Sequence, residues 1–118
     1  MPAHYGYIKR TEGADGDHVD VYLGPSSKSN KVFIVDQQDH RTNAFDEHKV
    51  MLGYDRERDA LTDYRRAFSD GKGDDRIKHV TEMTVAEFKV WLRHCNTKKP
   101  VRSRAIVDKA LSALSRKA

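Results

Sequence analysis

Three aspartates, Asp15, Asp17 and Asp20, fall within six residues of the stretch YGYIKRTEGADGDHVDVYLGP (residues 5–25), with Glu12 just upstream and Gly13 and Gly16 set among them. Carboxylates this close repel one another unless a cation stands between them. Mg²⁺ suits that place, because it prefers oxygen ligands and keeps waters or phosphate oxygens in its remaining positions. Asp-Gly-Asp is equally ordinary turn chemistry, with glycine supplying positive φ and aspartate bonding back to its own backbone. Spacing alone leaves both readings open. An EF-hand is excluded: a loop opening at Asp15 would need a polar ligand fifth, glycine sixth and glutamate twelfth, and those places hold Val19, Asp20 and Ser26.

The elements that must carry these acids can be read from periodicity. Residues 5–11 and 18–24 read as strands joined by the acidic turn, and in the second Val19, Val21 and Leu23 alternate with Asp20 and Tyr22. A third strand, Val32–Val35, is continuously apolar, and the turn-rich QQDHRTNA leads to a fourth over Phe45–Tyr54. In that fourth strand Glu47, Lys49 and Met51 share one face, and Asp46, His48, Val50 and Leu52 the other. An acid and a lysine on one face would serve a phosphate–metal site, and they would serve a cross-strand ion pair as well.

Helical spacing follows. Ala60, Leu61, Tyr64, Ala67 and Phe68 form a stripe that begins after Asp55, and residues 70–75 (DGKGDD) stop it in a loop. Thr84 and Glu87 have capping-box spacing at the head of a second helix, whose buried stripe is Val85, Phe88, Trp91, Leu92 and Cys95. Pro100 ends the connection, and a third helix from about Ser103 carries Ile106, Ala110, Ala113 and Leu114 on one side. The fold class expected is α+β, a small antiparallel sheet or partial barrel of about four strands followed by two to three helices.

The 118 residues suffice for one domain with a modest core, and the 34% charged fraction marks a soluble protein. No run of eighteen apolar residues exists, and the N-terminus lacks a signal-peptide core. The single Cys95 cannot form an internal disulfide and has no zinc-ligand spacing around it. A reducing, cytoplasmic setting away from membranes is expected. Beyond Asn96 seven Lys and Arg residues face one acid, Asp108, so residues 101–118 read as a basic C-terminal helix after a domain spanning 1–100. That tail could touch nucleic acid. With no aromatic residue interleaved to stack on bases, a solvated helix face is the better account.

Tyr5-Gly6-Tyr7-Ile8 followed by Asp15-Gly16-Asp17-His18-Val19-Asp20-Val21 resembles the signature of soluble family I inorganic pyrophosphatases. GADGDHVDV, FDEHKVMLGY and TEMTVAEFKVWL resemble more closely still the pyrophosphatase-like domain found within large proteins of phages and mobile elements. The resemblance spans about residues 4–100. It implies Mg²⁺ as cofactor, Asp15, Asp17 and Asp20 as metal ligands, and Asp17 as the base that orients or deprotonates the attacking water. Glu47 and Lys49 resemble the family's Asp-x-Lys pair for metal and phosphate, with Asp46 an alternative acid and Asp36 or Asp39 candidates for a further one. Tyr5 matches a phosphate-site tyrosine, and Tyr64-Arg65 resembles a Tyr-Lys pair with arginine's planar fork replacing a point charge.

The implied function is Mg²⁺-dependent hydrolysis of pyrophosphate or a related diphosphate. Two departures stand out. His18 sits where the enzymes have Pro or Glu, and the family's earlier strands, which bear a Lys, a Glu and an Arg, would precede the first residue of this chain. Four strands also do not readily close the family's small barrel. The alternative is therefore a catalytically degenerate binding or accessory module, completed by a larger polypeptide or by a homo-oligomer.

Overall fold

Val32, Phe33, Ile34 and Val35 are all fully buried, and a strand that buries every side chain must be covered on both faces. The computed structural model describes the backbone of residues 4–8 and 19–116, and the side chains of residues 19–115. In it β3 (Lys31–Gln38) lies between β4 (Phe45–Leu52) and β5 (Ile77–Thr84), with β2 (Val19–Leu23) beyond β4 and β1 (His4–Ile8) beyond β2. The sheet order is thus β1-β2-β4-β3-β5. All neighbours are antiparallel except β2 and β4, which run parallel. The parallel pair arises because β3 passes the place beside β2 and the hairpin then returns β4 into it.

The α+β class is as expected. Among the described residues the sheet has five strands where about four were anticipated, it is mixed, and β1 and β5 are its outermost strands. The strand missed by periodicity is β5. Its inner positions hold His79, Thr81 and Met83, so the apolar alternation is faint. β3 also runs on through Gln38, three residues past the apolar run.

The two faces hold separate cores. On one, α1 (Glu57–Arg66) places Ala60 and Tyr64 over Phe33, Val35, Met51 and Tyr54. On the other, α2 (Val85–His94) and α3 (Ala105–Arg116) bring Phe88, Trp91 and Val107 onto Val19, Val21, Ile34 and Val50. Trp91 is fully buried, as its helical spacing predicts. The predicted capping box is formed: Glu87 N–H donates to Thr84 Oγ1 at 3.1 Å, and Thr84 N–H donates to Glu87 Oε1 at 2.8 Å. No helix among the described residues is long and apolar enough to cross a membrane.

The link between α2 and α3 is fixed from inside the sheet. Asp36, fully buried on β3, accepts from Val101 N–H at 2.9 Å and Arg102 N–H at 2.7 Å. Arg102 takes φ +66 there, a left-handed turn that two charge-assisted hydrogen bonds help to hold.

Candidate functional site

Period-two alternation puts Asp20 and Tyr22 of β2, Glu47 and Lys49 of β4, and Val35 and Gln37 of β3 on the face that α1 covers. The register makes this concrete: Asp20 pairs with Lys49, Tyr22 with Met51, Val35 with Lys49 and Gln37 with Glu47. Lys49 Nζ donates to Asp20 Oδ2 at 2.6 Å and forms a second ion pair with Glu47 Oε1. The three side chains are only 11% (Lys49), 22% (Asp20) and 16% (Glu47) exposed. A cation held between two carboxylates in a half-dry place interacts strongly with both. Burial pushes the neighbouring Tyr22 phenol above its usual pKa, with Lys49 pulling it down and the Asp20 and Glu47 charges pushing it up.

Other sequence candidates stand apart from this trio. Tyr64 lies on the same face but is fully buried, its ring edge-on to Phe68 and its hydroxyl donating to Gln37 Oε1 at 2.7 Å. Burial raises its phenol well above the usual range. Arg65, next in the helix, turns outward and pairs with Asp74 at 2.6 Å. Asp15 and Asp17 lie outside the described residues. Tyr5 is described only as a backbone position in β1, where it pairs with Tyr22.

The four acids left open for the metal site are sorted by position. Glu47 faces Lys49. Asp36 sits on the opposite face, bonded to Val101 and Arg102, with His48 Nε2 at 3.5 Å and His79 Nδ1 at 3.3 Å. Asp39 organises the β3–β4 turn, its Oδ1 accepting from Arg41 N–H and Thr42 N–H, and those two bonds lower its pKa. Asp46 departs from simple alternation. The ladder steps from Gln37–Glu47 to Gln38–Phe45, leaving Asp46 as the extra residue of a bulge. Its Oδ2 accepts from Gln37 Nε2 at 3.2 Å, so it reaches the Glu47 face rather than the His48 face that strict alternation gives it.

Gln37 itself was absent from the sequence candidates, since its neighbours read as a polar turn. The available signal was period two carried onward, Phe33-Val35-Gln37, into the strand's polar end.

The donor set on this face is hard oxygen, the chemistry Mg²⁺ selects. Two of the described carboxylates, Asp20 and Glu47, are already gathered around the Lys49 ammonium. Among the described residues no group of three or more His, Cys, Asp or Glu side chains could hold a metal ion by itself.

Comparison with curated proteins and with solved structures finds no match. The family model for inorganic pyrophosphatase, by contrast, matches residues 1–93, a span that takes in β1 to β5, all but the last residue of α2, and every candidate residue above. This chain belongs to the inorganic pyrophosphatase family.

Proposed function

We propose that the protein hydrolyses inorganic pyrophosphate, or a related diphosphate, with Mg²⁺ as cofactor. The observation that carries the reading is the convergence of Asp20, Glu47 and Lys49 on one half-buried face, within the span matched by the pyrophosphatase family. Asp15, Asp17, Asp20 and Glu47 would hold the cation. Mg²⁺ bound there would neutralise pyrophosphate oxygens and lower the pKa of water.

The chain's own groups do the rest. Asp17 takes the proton from the attacking water, whose oxygen joins one phosphorus while the bridging P–O bond breaks, its electron pair leaving on the second phosphate. Lys49 supplies positive charge where negative charge builds on the departing phosphate, and Arg65, paired outward with Asp74, would have to leave that partner to join it. Tyr5 would meet the phosphate, as the family resemblance implies, and Tyr64 backs the Glu47–Lys49 face through its bond to Gln37.

The test is phosphate release from pyrophosphate at millimolar Mg²⁺, comparing wild type with Asp17→Asn and Asp20→Asn. We expect turnover in the wild type and a loss of at least about 10²-fold in Asp17→Asn. Equal rates in wild type and Asp17→Asn would sink the reading. A second reading, a degenerate module that binds phosphate-bearing ligands without turnover, is favoured by one observation: the Lys49 ammonium already occupies the place between the two carboxylates and pairs with both. Pyrophosphate binding without phosphate release would establish it.

A further inference from the structure

Charge is unevenly spread along the chain: residues 93–118 hold eight Lys and Arg against one acid, whereas residues 1–92 hold fourteen against seventeen. The structure shows which of the C-terminal cations are already matched. Arg104 pairs with Glu87 at 2.5 Å and feels the Asp108 and Glu82 charges as well. Lys99, Arg102 and Lys109 are exposed and form no ion pair among the described residues. Lys99 and Arg102 rim one pocket of about 390 Å³, shared with Ala105 and Ile106. Lys109 stands one helical turn beyond Ala105 on the same stripe of α3, so the three cations follow one another across a single surface. Their backbone is fixed beneath them. Asp36 accepts from Val101 N–H and Arg102 N–H, Ser103 N–H donates to the Val101 carbonyl at 2.7 Å, and Lys99 N–H donates to the Asn96 carbonyl at 3.3 Å. A partner that binds here need not first order the link.

We propose that this surface, carried by the α2–α3 link and the outward stripe of α3, is an interface for the phosphate backbone of a nucleic-acid duplex. Unmatched like charges held on one rigid surface attract a polyanion. A duplex offers one negative charge per about 1.7 Å of its axis and releases condensed counter-ions when cations meet its phosphates. Residues 93–118 contain no Phe, Trp or Tyr. That argues against a single strand, whose binding leans on aromatic stacking, while contact with phosphates needs only charge and hydrogen-bond donors. It argues against a membrane surface too, which calls for an apolar stripe beside the cations. The exposed outward positions flanking Lys109 are Ala105 and Ser112, and neither supplies one. The surface belongs to the side of the sheet packed by α2 and α3, whereas Lys49 lies on the side that α1 covers. The inference therefore goes beyond the proposed hydrolysis and does not depend on it.

The experiment follows binding of the full chain to a fluorescein-labelled DNA duplex of mixed sequence by fluorescence anisotropy, in EDTA so that hydrolysis plays no part. Affinity should fall roughly 40-fold between about 50 and 200 mM salt, a log–log slope near −3 for about three phosphates met. The variant Lys99→Gln/Arg102→Gln/Lys109→Gln should bind more weakly and make that slope shallower by about 0.9 per residue replaced. All three side chains are exposed, so the fold should tolerate the change. A control variant, Arg56→Gln/Arg58→Gln/Lys72→Gln, removes the same charge from exposed positions elsewhere and should keep most of the affinity and the wild-type slope. Equal losses in the two variants overturn the inference, because net charge and not this surface would then drive binding. A wild type that does not bind the duplex, or whose affinity is flat in salt, also overturns it. So does tighter binding to the unpaired single strand, or binding to phosphatidylserine-containing vesicles with none to the duplex.

Discussion

Lys49 and Asp20 stand opposite each other in the parallel ladder of β4 and β2, and the lysine Nζ reaches the aspartate Oδ2 at 2.6 Å across 29 residues of sequence. With Glu47 on its other side, the ammonium is the counter-charge that lets two carboxylates share a half-buried face. Removing it leaves like charges together in a place water reaches poorly. Lys49→Met should therefore destabilise the fold by about 3 kcal/mol, measured by urea unfolding. Added Mg²⁺ should restore part of that loss, and should stabilise the variant more than the wild type. Equal stabilisation of both proteins by Mg²⁺ would argue against a cation site between Asp20 and Glu47.

Asp36 is assigned a structural task by its two bonds to the α2–α3 link. Asp36→Ala strips the acceptor from two backbone N–H groups, one of them buried. The expected cost is about 3 kcal/mol, seen as a lower urea midpoint. If α3 packs through this link, the loss should be accompanied by faster amide exchange in Ala105–Arg116. A change below about 1 kcal/mol would show that the carboxylate is dispensable to the fold.

The capping box gives a pH signature. The Glu87 carboxyl is held below its ordinary value of 4.5, chiefly by accepting from Thr84 N–H and then by its pairing with Arg104. A carboxylate with a lowered folded pKa contributes stability in full above its unfolded value. That contribution fades as pH falls through the folded value. Glu87→Gln should therefore flatten the acid limb of the stability profile below about pH 4.5, and Thr84→Ala should cost about 1 kcal/mol at neutral pH. Thermal unfolding across about pH 3–7, which spans the carboxylate titration range, measures both. An acid limb identical in wild type and Glu87→Gln would contradict this account.

Gly24 and Gly53 pack backbone to backbone where β2 and β4 end. A Cβ on Gly24 would lie 2.6 Å from the Gly53 carbonyl oxygen and 2.6 Å from the Tyr54 ring, while Gly53 itself holds φ +80. The Tyr54 ring cannot swing away cheaply, because its hydroxyl donates to buried Asp63 at 2.8 Å. Gly24→Ala should cost about 3 kcal/mol, the upper end for overpacking, whereas Gly71→Ala should register only the strain of φ +71, since its Cβ would meet nothing. Comparing the two unfolding midpoints tests the difference.

Much of the site could be read in the chain. Alternation alone puts Glu47 and Lys49 on one face of a strand and Asp20 on one face of another, because a strand's side chains have period two whatever its neighbours are. The stripes of α1 and α2 and the Thr84–Glu87 cap were equally legible, being local and set by backbone geometry over a few residues. The Asp15-Gly16-Asp17 segment carried the family signature in the sequence.

What local pattern could not contain was decided by the tertiary structure. Strand order is not a local property, so nothing in residues 19–23 or 45–52 says that β2 and β4 are neighbours in parallel, and it is that adjacency that joins Asp20 to Lys49. β5 was hidden because its inner face is partly polar, His79 and Thr81 sitting where apolar residues would have announced a strand. The roles of Asp36, Asp39, Asp46 and Glu47 could not be separated by composition. A strand face, a turn and a one-residue bulge sent four chemically similar carboxylates to different surroundings. Residue types determined which charges this protein carries, and the long-range pairing of its strands decided which of them meet.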